Sequence, residues 1–251
     1  MARYTYGDSA LAGDRLELVA QLFEPTSLPF LRAAVERRPR LAVDLGCGPG
    51  ATTELLRTAT SASGTIGIDR SVAFARRARS STGLRFVVAD VVGADLPIAR
   101  PDLLYARLLV AHLDEPGAVL ARWGSSLSAD GRILVDDLES IEAEGIFRTY
   151  LDDVALAVVR AQGGALFVGP ILHRSRDPAG LVRVHDAVAS IEPPVAETAR
   201  VFAMNLQVLT EDAEVSPQPT LAAALEAVAS GRQVAGSVRW RFRQIAWERS
   251  G

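Results

Sequence analysis

The octapeptide Val43 to Gly50, VDLGCGPG, constrains the fold more than any other stretch of the chain. An apolar run (Leu41, Ala42, Val43, Leu45) ends there in a glycine-dense turn, and a helical pattern starts at Ala51. The order is therefore strand, loop, helix start. Glycine lets the backbone take positive φ or approach a bound group closely, and the first N–H groups of a helix are left to receive outside hydrogen bonds. Such a turn is built for a ligand, and charge narrows the choice. Gly46, Gly48 and Ala51 satisfy the loose G-x-G-x-x-G/A pattern in which a helix N-terminus holds a pyrophosphate. Asp44, two residues before the first glycine, would repel that group, and Pro49 removes one N–H donor. A ligand with a cationic amino-acid end and a ribose suits the turn better.

The rest of the chain bounds the problem. With 251 residues, 49% hydrophobic and 23% charged, it can bury a full core as one domain with an insertion or two. All 27 basic residues are arginine, which excludes a Schiff-base lysine, a P-loop lysine and a lysine general base. The net charge of -3 gives no general pull toward phosphate backbones, so nucleic acid is not an expected partner. Cys47 is the single cysteine, so there is no intrachain disulfide or cysteine-rich metal site, and a reducing cytoplasm fits. The N-terminus shows neither an export signal nor a membrane-length apolar span, so cytoplasmic location without membrane anchoring is expected.

The periodicity predicts a helix over 9–23 stopped by Pro25, and a second over 27–37 with Pro29 in its first turn. Strand one is followed by a helix from Ala51, a second strand ending at Asp69, and a third ending at Asp90. Strand four runs through Arg107 into a helix-like stretch, 108–123, and strand five ends in Asp136 and Asp137. Short apolar strands alternating with helices indicate a parallel sheet covered on both faces, with ligands at the carboxyl ends of its strands. Asp44, Asp69, Asp90, Arg107, Asp136 and Asp137 all fall on that edge. Asp69 lies about twenty residues past the glycines, the offset at which an acid meets ribose hydroxyls, although it could also cap the helix begun by Ser71.

Asp44, Gly46, Gly48 and Gly50 match the D-x-G-x-G-x-G loop, and the chain here resembles the class I S-adenosylmethionine-dependent methyltransferases of the small-molecule type. The resemblance implies an α/β, doubly wound, seven-stranded and mostly parallel Rossmann-like sheet with N-terminal helices and helical insertions on the substrate side. It implies S-adenosylmethionine as cofactor, held by the loop with Cys47, by Asp69 and Arg70, and by Asp90 with the Val91 backbone at the adenine amino group. Tyr6 and Arg15, on an N-terminal arm, would fold over the cofactor or simply pack; Arg107 would meet the cofactor carboxylate, an anionic substrate or a neighbouring acid. Arg107 and His112 resemble the polar stretch after strand four in many of these enzymes. Neither a D-P-P-Y nor an N-P-P-Y motif is present, and the lysine-assisted, magnesium-dependent catechol type is not matched, so no metal is expected.

Residues 1–40 read as a helical arm, 41–137 as the cofactor core, 138–180 and 195–230 as cap elements, and 236–248 as the last strand, placed by the resemblance antiparallel between strands five and six. The amphipathic stretch 141–161 puts Ile146, Phe147, Tyr150, Val154 and Val158 on one helical face. Leu181 to Ile191 alternates as strand six, with His185 as a structural residue. Methyl transfer is an in-line displacement that asks mainly for alignment and, for a protonated acceptor, a base. Candidate bases are His112, Asp137, His173 and Glu139, with His112 fitting better as a packing residue on the helix after strand four. The expected reaction is methyl transfer to an oxygen of a hydrophobic or secondary metabolite, and the expected partners are that small-molecule acceptor and a second copy of the chain in a homodimer. Two readings stand beside it: a protein of the same fold that binds the cofactor without methylating, and a nicotinamide-dependent dehydrogenase, against which Asp44, Pro49 and the missing Tyr-x-x-x-Lys lysine argue.

Overall fold

The computed structural model describes residues 7–93, 95–161, 164–212 and 214–250, so Tyr6 lies outside the described residues. Its centre is a seven-stranded sheet in the order β3-β2-β1-β4-β5-β7-β6. Strands β1 (Leu41–Leu45), β2 (Gly64–Asp69), β3 (Arg85–Val88), β4 (Leu103–Arg107) and β5 (Arg132–Ala143) pair in parallel. The last strand, β7 (Val238–Arg249), runs antiparallel between β5 and β6 (Leu181–Ile191). The mostly parallel α/β sheet follows the sequence reading, down to the inserted final strand.

Period-two alternation sorts side chains onto the two faces. Ala42, Leu103, Tyr105, Leu134 and Ala246 pack under the end of α1 (Ala10–Ala33) with Phe30 and Leu31, and with Leu56 of α2 (Ala51–Thr60). Val43, Leu104, Ala106, Ile133, Val135 and Ile245 pack on the other face with Leu120 and Trp123 of α4 (Pro116–Ser126). Cys47 and Phe86 close on Ala75 and Ala78 of α3 (Val72–Thr82). The parallel strands are buried on both sides, which is why their sequences read as continuous apolar runs.

Three expectations are corrected. The N-terminal segment is one helix of 24 residues with Pro25 and Pro29 inside it, rather than two helices. An interior proline costs about 3 kcal/mol in a lone helix, but here Phe23, Ser27, Phe30 and Leu31 are all buried, so the packed face carries the helix across both breaks. The stretch after β4 is not a continuous helix: a single 3₁₀ turn, Val110–His112, precedes α4. Strand β5 continues past Asp137 to Ala143, and the amphipathic stretch begins only at α5 (Ile146–Tyr150), passing through a π turn, Leu151–Ala155, into α6 (Leu156–Ala161).

With α8 (Val195–Glu211), α9 (Pro219–Ala229), the first half of α1 and the outer parts of β5 and β7, these elements enclose a second core. Its aromatic centre is Phe202, stacked on Tyr150 at 4.2 Å and edge-on to Phe147 and Trp240. The short α7 (Gly169–Arg174) lies against β5, so closely that a Cβ on Gly169 would sit 2.8 Å from the Leu138 carbonyl oxygen.

Candidate active site

At the carboxyl edge of β1 the loop turns through three left-handed glycines: Gly46 (φ +65°), Gly48 (φ +52°) and Gly50 (φ +96°). The Gly46 and Cys47 N–H groups both donate to the Ile68 carbonyl, at 2.8 and 3.1 Å, which fastens the loop to β2. The Gly48 N–H donates to Asp69 Oδ2 at 2.9 Å, and the Ser71 N–H to Oδ1 at 2.8 Å. Asp69 is thus fixed at the end of β2, each oxygen keeping a second lone pair for a ligand. Burial holds its pKa above the usual carboxylate range.

A cleft of about 600 Å³ opens over this edge, lined by Gly46, Cys47, Gly48, Asp69, Arg70, Asp90, Val91, Arg107 and His112, with Arg15, Leu16 and Val19 of α1 across from them. Asp90 Oδ1 accepts the Val92 N–H at 2.8 Å, and the Val91 carbonyl accepts Trp123 Nε1 at 2.8 Å, so the loop after β3 is held from both sides. The Cys47 side chain points away, toward Gly67 and Phe86, and burial raises its thiol well above the ordinary value, leaving an inert packing group.

Asp44 departs from the expectation of a ligand contact. Its side chain shares the α2-facing side of β1 with Ala42, and its Oδ2 accepts the hydroxyls of Thr52 (2.6 Å) and Thr53 (2.8 Å). It is buried beneath the loop, outside the cleft lining, with its pKa raised by that burial to about 6. Asp44 therefore ties the loop to the helix start.

A buried polar network, invisible in the linear sequence, lies between α1 and the sheet. Asp136 Oδ2 accepts Ser27 Oγ at 2.6 Å and Tyr105 Oη at 3.3 Å, while Gln244 Nε2 donates to Oδ1 at 3.3 Å. Arg107 Nη1 donates to Ser27 Oγ at 3.4 Å, so the guanidinium lies between this network and the cleft it lines. Next to it, Leu108 takes φ +52°, an uncommon conformation for a branched side chain, and lines the cleft.

Behind the cleft is a smaller cavity of about 120 Å³. Phe23, Leu138, Ile141, Tyr150, Leu151, Phe202 and Trp240 form its walls, and it shares Arg15, Val19, Leu108, His112, Leu113 and Asp114 with the cleft. Arg15 Nε donates to Asn205 Oδ1 of α8, joining residues 190 positions apart. His112 is half-buried at this junction, and burial, with the Arg15 and Arg70 cations nearby, lowers its pKa to about 4. Asp137 reaches the cavity wall with its carboxylate turned to the Val110, Ala111 and Leu138 N–H groups at 2.9, 3.4 and 2.9 Å; burial raises it to about 7.

His173 and Glu139 are not brought to this junction. His173 Nδ1 sits 2.8 Å from Asp186 Oδ2 on the exposed side of α7, and Glu139 forms a two-point pair with Arg243 at 2.9 and 2.8 Å. Both belong to a charge network with Arg183 and Asp177 at the β6–β7 edge, so the expectation of His173 as a base is corrected. His185 packs against the Phe30 ring at 5.4 Å. Sequence reasoning missed Asn205, Ser27, Leu108 and Asp114; it placed Tyr150 on the right helical face without assigning it to a cavity.

Residues 43–135, from the glycine loop through β5, match the family described as a methyltransferase domain. The glycine loop and β1 to β5 thus carry the likeness to this methyltransferase domain, which spans residues 43–135 of the chain. Curated relatives of this methyltransferase core include the trans-aconitate 2-methyltransferases of Methylobacterium nodulans, 35% identical over 105 residues (41% of this chain, 40% of the relative), and of Acidovorax ebreus, 31% identical over 143 residues (56% and 50%). The chain matches half or less of these relatives' lengths. Among solved structures, a phosphoethanolamine N-methyltransferase of Haemonchus contortus, bound to phosphomonomethylethanolamine and S-adenosylhomocysteine, has a TM-score of 0.55 at 13% identity, covering 94% of this chain and 58% of its own. Coclaurine N-methyltransferase, bound to N-methylheliamine and S-adenosylhomocysteine, has a TM-score of 0.55 at 13% identity, covering 90% and 72%. At these identities the likeness is one of fold. Among the described residues, no group of histidine, cysteine and acids could hold a metal ion, and no helix is long and apolar enough to cross a membrane.

Proposed function

We propose that this methyltransferase transfers the methyl group of S-adenosylmethionine to a small, largely apolar acceptor seated in the cavity behind His112. The observation that carries the reading is the union of two spaces through one wall. A cleft with a left-handed glycine loop and carboxylates at successive strand ends shares the residues of one wall with an aromatic-lined cavity.

The donor and acceptor set fits the cofactor. Asp69 has lone pairs for ribose hydroxyls, Asp90 has an acceptor oxygen for an adenine amine, and Arg107, Arg15 and Arg70 bring positive charge to the side of a carboxylate. A Cβ on Gly46 would meet Leu109 at 2.9 Å and one on Gly48 would meet Leu16 at 3.2 Å, so the loop keeps a narrow channel for a ligand lying along it. When bound, S-adenosylmethionine supplies an already activated sulfonium methyl. The protein's part is to align the acceptor and to keep out water. Val19, Leu108 and Leu113 line that junction and exclude solvent, while His112, neutral at pH 7 and weakly basic, offers a hydrogen bond more readily than it removes a proton.

Transfer of a labelled methyl group from S-adenosylmethionine to a panel of small apolar acceptors tests the reading. Labelled product is expected with acceptors that fit the cavity, and Phe202→Trp, which fills it, is expected to abolish labelling while retaining cofactor binding. Cofactor binding with no labelled product across the panel would contradict methyl transfer and leave a binding protein.

A further inference from the structure

Arg107 ends β4 with donors that the fold leaves open, and its setting bears on how the cofactor is gripped, given the reading of the cleft as the S-adenosylmethionine site. The side chain is 8% exposed. Among the described residues its guanidinium makes one hydrogen bond, Nη1 to Ser27 Oγ at 3.4 Å, and no ion pair within 4 Å. Its other nitrogens are not sealed in protein either, so they face the cleft that Arg107 lines. Burial raises the carboxyls of Asp44 and Asp136, and the Arg107 charge opposes that rise in both, yet neither pairs with it directly. A buried cation held by one neutral hydroxyl is unfavourable unless an anion completes it.

The hydroxyl is itself aimed. Ser27 lies in α1 between Pro25 and Pro29, and its O–H donates to Asp136 Oδ2 at 2.6 Å, so what it turns to Arg107 is a lone pair. Asp136 is the register partner of Arg107 on the neighbouring strand. Gln244 of β7 ties both sides down, donating to Asp136 Oδ1 at 3.3 Å and to the Thr26 carbonyl at 3.0 Å. One edge of the guanidinium is thereby fixed, and position decides what the other edge meets. Across the sheet the cleft residues run from Asp90 after β3, through Asp69 on β2 and the glycine loop after β1, to Arg107 on β4, where Ala106 stands opposite Leu45. A ligand with its adenine at Asp90 and its ribose at Asp69 reaches the β1–β4 end with its amino-acid group.

We propose that Ser27 and Asp136 are positioning residues for Arg107: they hold one edge of its guanidinium against α1 so that the remaining N–H groups meet the carboxylate of the cofactor. Guanidinium and carboxylate match in charge and in planar geometry. The middle of α1, remote in sequence from the glycine loop, then sets the affinity for the amino-acid end.

Calorimetric titration with S-adenosylmethionine and with its decarboxylated analogue, which keeps the adenine, ribose, sulfonium and amine, isolates that contact. Wild-type protein is expected to favour S-adenosylmethionine about tenfold or more. Arg107→Gln is expected to remove most of that preference, and Ser27→Ala to narrow it about three- to tenfold, each with the affinity for the analogue little changed. Tyr105→Phe deletes another hydroxyl bonded to Asp136 Oδ2, at 3.3 Å, and is expected to keep the preference. Urea midpoints show that each variant is folded, and Ser27→Ala, one oxygen smaller, carries the test if Arg107→Gln is not. Equal wild-type binding of the two ligands, or an undiminished preference in a folded Arg107→Gln, as an Arg107 reserved for the acceptor would give, would overturn the proposal. So would a preference left unchanged in Ser27→Ala, or narrowed as much in Tyr105→Phe. Binding of neither ligand would instead overturn the reading of the cleft.

Discussion

Replacing Gly50 by alanine tests the loop at its most constrained point. Gly50 sits at φ +96°, and a Cβ there would lie 2.9 Å from both Ala78 Cβ and Phe86 Cζ. Both neighbours are buried with Cys47 and Ala75 in the cluster that seats the loop on α3, so neither is the loose end of a long side chain. Left-handed backbone costs an L-residue roughly 1–2 kcal/mol, and an added methyl in a filled core costs about 1–3 kcal/mol. Gly50→Ala is therefore expected to lose about 2–5 kcal/mol, a large share of the roughly 5–15 kcal/mol typical of a domain. Gly46→Ala is the control: its Cβ would meet the mobile end of Leu109, leaving mainly the backbone cost of roughly 1–2 kcal/mol. Urea unfolding followed by fluorescence of the buried Trp123, Trp240 and Trp247 measures both variants. A loss under about 1 kcal/mol in Gly50→Ala, or equal losses in the two, would refute the claim that α3 and β3 fix the loop.

Further outcomes follow from the same geometry. Phe202→Ala removes a fully buried ring that stacks on Tyr150, and is expected to cost about 3–5 kcal/mol and to admit bulkier acceptors; unchanged stability by urea titration would contradict the packing described. His173→Ala breaks a pair on the exposed side of α7 and is expected to leave kcat unchanged with a stability loss of about 0.2–1 kcal/mol, whereas a large fall in kcat would return His173 to the reaction. Asp137 has a folded pKa of about 7, above its ordinary value, so the native state holds that proton more tightly than the unfolded chain does. Its stabilisation is present at acid pH and lost as pH rises through about 7. His112, lowered to about 4, acts oppositely, stabilising above its ordinary value and losing that contribution as pH falls through about 4. Between about pH 4 and pH 7 the Asp137 contribution should therefore fall while that of His112 rises, so the unfolding free energy of Asp137→Asn should climb relative to the wild type across that window and level off above it; parallel profiles of the two proteins from pH 4 to pH 7 would contradict this.

The sheet and the cofactor edge were legible because their signals are local. An apolar run ending in Asp69 or Asp90 marks a buried strand and its carboxyl end at once, and the glycines of 46–50 mark a turn that other residues enter only with strain. The continuity of α1 was not legible, because prolines at 25 and 29 are local breaks that only the packed face of Phe23, Ser27, Phe30 and Leu31 overrides. The direction of Asp44 was hidden for a similar reason. Its type and place suggest a ligand contact, but strand alternation turns it toward Thr52 and Thr53. Arg15 with Asn205, and Ser27 with Asp136, join residues far apart in the chain, so their meeting depends on how α1 crosses the sheet and touches α8. His173 was chosen for its side chain, and position removed it: Asp186 and the arginines of β6 and β7 hold it at the opposite edge.

Calorimetric titration of the wild-type protein and Asp69→Ala with S-adenosylhomocysteine and with NAD addresses the central claim most directly, with the urea midpoint of the variant as the check on its fold. The account predicts S-adenosylhomocysteine binding on the order of micromolar, weakened at least about tenfold in Asp69→Ala, and no heat from NAD. Absence of S-adenosylhomocysteine binding, undiminished binding in a folded Asp69→Ala, or tighter binding of NAD would contradict it.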